Sequence, residues 1–339
     1  MSIPQIMNPM ESPLKSIFTS LTALLAATLT LAVASNAYAD TYPSKGVRII
    51  NPFPPAGSSD AIARILADRL SKKMGQQFTI ENRPGAGGNL GADYVAKAPP
   101  DGYTLLMGAA GAMAINVSLY AKMPYDPARD FAPITLVGYV PVVVIASASA
   151  PANSIRELIS AAKANPEKIS FASNGNGTAH HLAGELFMQS TKTKMTVVQY
   201  KSTQAAMQDV VGERIQYGFL DLTAALPLLS SGRVKGLATT GPTRSSAAPN
   251  IPTVGESGLP GYEVVGWFGL FAPKGTPASI VATLNDEVRS ILSEPEVRSR
   301  AAQLAIEVKA SSPAELLKYQ ISEIDRWAGL INAANIKLD

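Results

Sequence analysis

From Val47 onward, short apolar runs alternate with longer segments whose apolar residues recur every three or four positions. The short runs predict strands and the longer segments predict amphipathic helices. Regular alternation of the two along a chain is typical of an α/β fold. The predicted strands are Val47–Phe53, Phe78–Glu81, Thr104–Gly108, Ile134–Val137, Val142–Ala146, Ile169–Ser173, Thr196–Gln199, Gln216–Phe219 and Val234–Thr239.

Several helices have recognisable starts. Ser154 and Glu157 have the spacing of a capping box, and Ser312 and Glu315 repeat it with a proline at the first helical position. Another helix is predicted to start at Thr276-Pro277. The last helix is predicted to bury one apolar stripe, formed by Leu317, Ile321, Ile324, Ala328 and Ile331, with Trp327 beside it.

The chain has 339 residues, which favours two lobes over a single core. It contains no low-complexity linker and no fixed repeat, so the chain is expected to cross between the lobes more than once. The candidate crossings are the turn-rich segment Gly138–Pro141 and the Pro- and Gly-dense stretch Gly241–Gly261. Two lobes joined by short crossings predict a hinge, with a ligand cleft between them.

The N-terminus has the features of a secretory signal peptide, residues 1–39. Lys15 supplies the positive charge, Leu21–Ala34 the apolar core, and Ala37-Tyr38-Ala39 the cleavage site. A membrane anchor is the alternative, but the apolar run of about fourteen residues is shorter than the roughly twenty that span a bilayer. Cleavage is predicted after Ala39, whereas translation from Met1 or Met10 stays open.

The amino-acid composition restricts which classes of function the chain can have. Residues are 46% hydrophobic and 16% charged, and the net charge of +3 comes from dispersed Lys and Arg, which makes nucleic acid an unlikely partner. Cysteine is absent, so an exported protein would have neither disulfides nor a lipid-anchored N-terminal cysteine. This pattern predicts a freely soluble periplasmic protein.

The turn after the first predicted strand is the most informative stretch. It leads into a helix predicted to begin at or just after Asp60, which is predicted to cap it, while the serines add hydroxyl donors. The first N–H groups of a helix lack intrahelical partners and favour an anion, so this turn predicts a carboxylate site. Its predicted ligand-binding residues are Phe53, Ala56, Gly57, Ser58, Ser59 and Asp60.

A second turn repeats these features after the strand Ile169–Ser173. Its predicted ligand-binding residues are Ser173, Asn174, Gly175, Gly177 and Thr178. A dinucleotide site would also want an acidic residue at the end of the next strand, where Val198, Gln199 and Tyr200 stand instead. Capture of a small anion is therefore favoured, although for both turns the spacing alone leaves an ordinary strand-to-helix turn as the alternative.

Other motifs carry less chemistry. The glycine-rich turn Arg83–Gly91 does not match G-x-G-x-x-G, and close helix–sheet packing explains it. His180 and His181 are adjacent and point to different helix faces, and His181 with Glu185 lacks a third ligand. No nucleophile elbow or H-E-x-x-H helix is present. Asp60 and Asp221 are plausible pocket carboxylates, but no catalytic residue, metal or cofactor is predicted.

These loops, in this order, resemble the Bug-type family (Bordetella uptake gene products), the substrate-binding proteins of tripartite tricarboxylate transporters. The resemblance covers essentially the whole mature chain. It rests on segments that match family signatures: Tyr42–Lys45 leading into Pro52–Arg64, then Glu81–Gly91, Pro100–Leu105, Pro252–Tyr262 and Ala272–Pro277.

The resemblance implies an α/β, two-lobed periplasmic-binding-protein fold of type II-like architecture. Each lobe is a mixed sheet flanked by helices, and the ligand cleft lies between them. Lobe 1 is expected to comprise residues 40–140 and 263–339, and lobe 2 residues 141–262. The two anion-binding turns face the cleft and hold a carboxylate, partly through ordered water, and Ser202, Thr203 and Asp221 are expected to line the same cleft.

The chain departs from the family pattern at three places. Ala56 stands where a first glycine is usual, Tyr200-Lys201-Ser202-Thr203 replaces Tyr-Lys/Arg-Gly-Gly, and Met113 stands where a histidine is common. Met113 is expected to make one cleft wall more apolar, which favours a ligand with a hydrocarbon or aromatic body.

The predicted function is a monomeric periplasmic solute-binding protein. It would capture a small organic acid by closure of the lobes and deliver it to the membrane permease subunits of a tripartite tricarboxylate transporter. One alternative is a sensor that signals to a membrane receptor, and a less favoured one is an exported α/β enzyme. A LysR-type effector domain shares the lobe plan, but a signal peptide stands where its DNA-binding helices would be.

Overall fold

A computed structural model describes Met1, residues 42–334 and Ile336. The predicted signal peptide and its cleavage site after Ala39 lie outside the described residues. The chain divides into a unit of Met1–Ser44 and a unit of Lys45–Asp339, and the fold and the site lie in the second unit.

The second unit is an α/β structure built on a ten-stranded mixed sheet, in the order β2-β1-β3-β9-β4-β7-β5-β6, with β8 and β10 also paired to β4. Parallel pairs at each end (β1 with β2 and β3, β5 with β6 and β7) are joined by antiparallel strands in the middle. The strands are β1 (Val47–Asn51), β2 (Phe78–Asn82), β3 (Thr104–Ala109), β4 (Phe131–Ser147), β5 (Ser170–Ser173), β6 (Thr196–Gln199), β7 (Tyr217–Asp221), β8 (Val234–Thr239), β9 (Val265–Pro273) and β10 (Glu307–Val308).

Strand β4 runs through both halves of the sheet. Its first part pairs with β9 from Phe131 to Pro141, and its second part pairs with β7 and β8 from Val142 onward. Gly138–Pro141, a candidate crossing between the lobes, is therefore not a turn, because these residues continue one strand. Gly138 is needed there for another reason: a Cβ on it would lie 2.6 Å from the carbonyl oxygen of Glu307, where β10 pairs with β4.

Helices cover both faces of the sheet. They are α1 (Ser58–Met74), α2 (Asn89–Ala96), α3 (Asn116–Leu119), α4 (Ile155–Ala164), α5 (Ala179–Thr191), α6 (Thr203–Val211), α7 (Leu222–Ser230), α8 (Ala278–Ser293), α9 (Pro295–Gln303) and α10 (Pro313–Ala334). Short turns of 3₁₀ and π helix cover Ala86–Gly88 and Gly111–Ile115. None of the helices among the described residues is long and apolar enough to cross a membrane.

Two predicted helix starts are confirmed. The Ser154 hydroxyl accepts the N–H of Glu157 at 3.2 Å. At α10 the capping box is complete: Ser312 Oγ accepts the N–H of Glu315 at 3.2 Å, and Glu315 Oε2 accepts the N–H of Ser312 at 2.8 Å. These bonds satisfy first-turn donors and fix where each helix begins.

The predicted apolar stripe of α10 is correct at Ile331, with Trp327 buried beside it, but wrong at Ile321, which is 45% exposed. The other buried side chains of this helix are Leu316, Gln320 and Glu323. Gln320 donates to the carbonyl oxygens of Met113 and Pro127, while Trp327 Nε1 donates to Glu323 Oε2. The buried face of α10 is partly polar because these side chains find hydrogen-bond partners there. A search for apolar residues at helical spacing therefore does not find this part of the face.

Candidate functional site

The turns that follow β1, β2, β3, β5 and β6 meet around a cavity of about 610 Å³. Most of the predicted site residues line it: Phe53, Gly57, Ser58, Ser59, Asn174, Gly175, Thr178, Ser202, Thr203 and Asp221. The two predicted anion-binding turns therefore line one space. Whether they bind a ligand there stays a prediction.

Asp60 does not line the cavity and does not cap α1. The helix begins at Ser58 with Gly57 as its N-cap, so Asp60 lies in the first turn. Its carboxylate accepts Arg64 Nε at 2.8 Å, Asn82 Nδ2 at 3.0 Å and the N–H of Ala56 at 3.1 Å. Burial raises the pKa of Asp60, but these hydrogen bonds outweigh it and leave the pKa below its ordinary value. Asp60 holds the turn in shape and does not face the predicted ligand.

The other predicted residues outside the cavity wall are Ala56, Ser173 and Gly177. The Ser173 side chain is fully buried, and its hydroxyl has no hydrogen-bond partner among the described residues. Gly177 packs against the side chain of Asn116. These three residues shape the turns without forming the cavity wall.

The N-terminus of α1 opens onto the cavity. Among the described residues, no side chain caps this helix of 17 residues, and Gly57, Ser58 and Ser59 line the cavity. By contrast, Thr178 accepts the N–H of His181 at the start of α5, and Ser202 accepts the N–H of Ala205 at the start of α6. The first-turn N–H groups of α1 are left for an external acceptor.

The serine hydroxyls of the first turn are not available as donors to a ligand, contrary to the prediction. Ser59 Oγ donates to Asn51 Oδ1 at 2.6 Å, and Ser58 Oγ donates to Asp221 Oδ1 at 3.0 Å. Thr203 Oγ1 donates to Asp221 Oδ2, also at 3.0 Å. Because a hydroxyl has one proton, these side chains present only lone pairs to the cavity. These three hydroxyls therefore leave donation to a carboxylate to the main chain and to other side chains of the cavity.

Asp221 is the buried charge of the site. It is 4% exposed, it receives the two hydroxyls of Ser58 and Thr203, and His180 Nε2 lies 3.1 Å from its Oδ1. Burial raises the pKa of Asp221, but the neighbouring His180 and the hydrogen bonds outweigh it, and the pKa lies below its ordinary value. Asp221 thus stays ionised and ties the turn after β1 to the start of α6.

The remaining wall is largely apolar. Phe53, Pro54, Pro84, Ala109 and Phe268 contribute to it. Met113, which was predicted to form part of this wall, is fully buried and does not line the cavity, because the π-helical turn directs it into the core. Lys201, whose side chain is exposed, is the one Lys or Arg among the described residues that line the cavity.

The histidines do not form a metal centre with their neighbours. His180 lies against Asp221, and His181 Nε2 lies 3.5 Å from Glu185 Oε1. Within the described part of the chain, no group of three potential metal ligands comes together.

Sequence reasoning missed part of the wall. The sequence predicts a packing turn at Pro84–Gly88 and no strand at β9, which contributes Trp267 and Phe268 to the wall. A signal for the loop existed: the carboxyl ends of parallel strands meet at one edge of a sheet, and β1, β2 and β3 are parallel. The turns after all three strands therefore converge on one place.

Ala56 has an unfavourable backbone conformation. Its φ is 66°, in the left-handed region that glycine adopts more readily. Two contacts hold it there: its N–H donates to Asp60 Oδ2, and its carbonyl oxygen accepts Gln204 Nε2 at 2.7 Å. The alanine thus adopts a conformation that disfavours a side chain.

Replacing Ala56 by Gly is expected to raise the free energy of unfolding by about 0.5–1 kcal/mol, because the left-handed strain is removed. Urea denaturation measures the change. The matched control is Ala302→Gly on the exposed face of α9, where glycine is expected to lower stability by about 1 kcal/mol. An equal loss of stability in both variants would contradict the assignment of strain at Ala56.

The chain is similar to proteins of one known family. The sequence profile of the family described as "Tripartite tricarboxylate transporter family receptor" matches residues 62–336. Protein BugT of Bordetella pertussis is 37% identical over 311 residues, which cover 91% of this chain and 95% of that protein. An R. palustris protein solved with adipate has a TM-score of 0.85 at 36% identity, covering 88% of this chain and 100% of that one. MatC from Rhodopseudomonas palustris with bound malate has a TM-score of 0.81 at 34% identity, covering 86% and 100%. The resemblance to the Bug-type proteins and the two-lobed binding-protein fold are confirmed.

Proposed function

This chain belongs to the tripartite tricarboxylate transporter receptor family, and we propose the following way in which it works as a solute-binding protein. It captures one small organic acid in the cavity between its lobes, closes around it, and delivers it to the membrane permease subunits of a tripartite transporter. It acts as a monomer in the periplasm after cleavage of the signal peptide behind Ala39. No bond-making step, cofactor or nucleic acid enters the proposal.

The observation that carries the proposal is the uncapped N-terminus of α1. Gly57 has no side chain to satisfy the first N–H groups, and the two following residues line the cavity. The macrodipole of a helix favours a negative charge at this end. A ligand carboxylate would accept hydrogen bonds from main-chain N–H groups there. Such hydrogen bonds are charge-assisted and therefore stronger than neutral ones.

The proposed lobes are residues 40–140 with 263–339, and residues 141–262. Two side-chain hydrogen bonds join them beside the cavity: Ser58 Oγ to Asp221 Oδ1, and Gln204 Nε2 to the carbonyl oxygen of Ala56. These contacts form only when the lobes are close together. A ligand that touches both lobes would therefore favour the closed state over the open one.

The cavity favours an acid with a hydrocarbon or ring body. Its wall is lined by Phe53, Pro84, Ala109 and Phe268, whereas the buried charge of Asp221 disfavours a second carboxylate deep inside. A second acidic group would find its counter-charge at the exposed Lys201. The relatives solved with adipate and malate fit this scheme as small acids.

A panel of organic acids tests the proposal by thermal unfolding. Adipate and benzoate are expected to raise the melting temperature more than malate does, because their bodies are less polar. A ligand at about 100 times its Kd stabilises the folded form by about 2.7 kcal/mol, a rise on the order of 5 °C. A neutral diol of matched length is the control and is expected to cause no shift.

The outcomes separate function from ligand class. If none of a broad set of carboxylates shifts the melting temperature, the binding function is contradicted. If malate binds much more tightly than adipate and benzoate, only the preference for an apolar body is wrong.

A further inference from the structure

Three loops meet at one edge of the cavity with almost no side chains between them. Gly87 follows β2, Gly111 follows β3, and Gly177 follows β5. A methyl group on Gly111 would lie 2.5 Å from the carbonyl oxygen of Gly177, and one on Gly87 would lie 2.6 Å from the carbonyl oxygen of Asn176. Both obstacles are main-chain atoms of the opposite loop, so they cannot rotate away.

Asn116 completes this contact from the side of Gly87 and Gly111. It is fully buried, and its Nδ2 donates to Asn89 Oδ1 at 2.8 Å. Its Oδ1 has no hydrogen-bond partner among the described residues, and a methyl group on Gly177 would collide with it. A buried acceptor without a donor is costly, and a side chain on Gly177 would be directed at it.

The backbone does not by itself require all three glycines. Gly87 and Gly177 have φ values of 63° and 73°, so a side chain there would be strained in any position of the loops. The φ of Gly111 lies outside the left-handed region. An alanine at Gly111 is therefore opposed by the loops it meets, the Gly177 carbonyl across the cleft and, at 2.9 Å, the Gly87 carbonyl on its own side.

We propose that Gly87, Gly111 and Gly177, with Asn116, form a closure seam. The seam is a contact between the lobes that exists only because a Cβ is missing on both sides. It rests on the proposed function, in that it requires the two lobes to close. Its glycines are positioning residues: they allow the main chains to meet, and the donors on both sides of the cavity then reach the same ligand. A side chain in the seam would hold the lobes apart and weaken binding.

The test compares Gly111→Ala with wild type in the mature full chain. The natural sequence has no cysteine, so exposed Lys97 and Lys163, one in each proposed lobe, can be changed to Cys and spin-labelled. The distance between the labels is measured with and without adipate, and the adipate Kd is measured on unlabelled protein. The control is Gly255→Ala, where a methyl group meets only ordinary contacts of 3.5 Å or more.

We expect adipate to shorten the label distance in wild type and in Gly255→Ala, and to leave Gly111→Ala with a longer distance and at least a tenfold weaker Kd. Gly87→Ala approaches the seam from a second loop and is expected to reproduce the longer distance. It also replaces Gly111→Ala if that variant is shown by circular dichroism not to fold.

If the variants close to the wild-type distance with unchanged affinity, the seam is wrong and the proposed function stands. If wild type neither binds adipate nor shortens its label distance with any acid of the panel, the proposed function is overturned and the seam with it.

Discussion

Replacing Gly57 by Asp is expected to weaken carboxylate binding at least 100-fold while leaving the protein as stable as wild type or slightly more so. The N-cap position has a β-region backbone, and a Cβ there meets no atom within 4 Å. The new carboxylate would accept the first N–H groups of α1, as a natural cap does. It would occupy the donors meant for the ligand and add a like charge. Loss of two charge-assisted bonds, each worth about 1.5–3 kcal/mol, amounts to about 100-fold or more.

Two controls separate charge from space. Gly57→Ala adds a side chain without a cap, and Gly57→Asn adds a cap without a charge. Binding measured by calorimetry is expected to fall least for Ala, more for Asn and most for Asp, while urea denaturation reports stability. Wild-type affinity in the Asp variant would show that the ligand carboxylate does not lie at α1.

Replacing Asp221 by Ala is expected to cost about 3 kcal/mol of folding stability. The change leaves the hydroxyls of Ser58 and Thr203 without their buried acceptor and removes the carboxylate that lies 3.1 Å from His180 Nε2. Asp221→Asn keeps one oxygen in the same place and is expected to lose less. Urea denaturation at pH 7 measures both variants, and a loss below about 1 kcal/mol for the Ala variant would contradict the role given to this cluster.

The same residue makes a pH prediction with a definite sign. Because the pKa of Asp221 is lowered by folding, its stabilisation is present above the unfolded-state pKa of about 3.9 and is lost as pH falls toward the folded pKa. The stability difference between wild type and Asp221→Asn is therefore expected to shrink below about pH 4. A difference that stays constant from pH 7 to pH 2.5 would show that Asp221 does not titrate as the structure indicates.

Local sequence patterns predicted those strands and helix starts that depend only on neighbouring residues. The strand Val234–Thr239 and the two capping boxes were placed correctly because alternation and caps act over a few residues. Strand β9 was missed since its glycines, Gly266 and Gly269, break the apolar run. A Cβ on Gly269 would meet the Phe271 ring of the same strand at 2.8 Å and Leu316 Cδ1 of α10 at 3.2 Å, and the second is a tertiary contact that no local pattern reveals.

The site was predictable in position but not in chemistry. Strand-to-helix turns with free N–H groups can be read from spacing, and they do face one cavity. The hydrogen-bond partner of each hydroxyl could not be predicted, because Ser58 and its acceptor Asp221 are 163 residues apart in the sequence. For the same reason Asp60, which looks like a pocket carboxylate in the sequence, is tied to Arg64 and Asn82.

Strand β4 constrains the proposed movement of the lobes. It carries unbroken main chain from one half of the sheet to the other, and Thr240 braces the crossing by accepting the N–H of Val142 and donating to the carbonyl oxygen of Val264. Register shifts lie on both sides, at Leu136/Gly138 and at Val144/Ile145. Rotation of one half against the other would therefore twist a hydrogen-bonded strand, and the energetic cost of the twist would grow with the angle. Such a connection limits the amplitude of the proposed rotation, whereas a flexible linker would not.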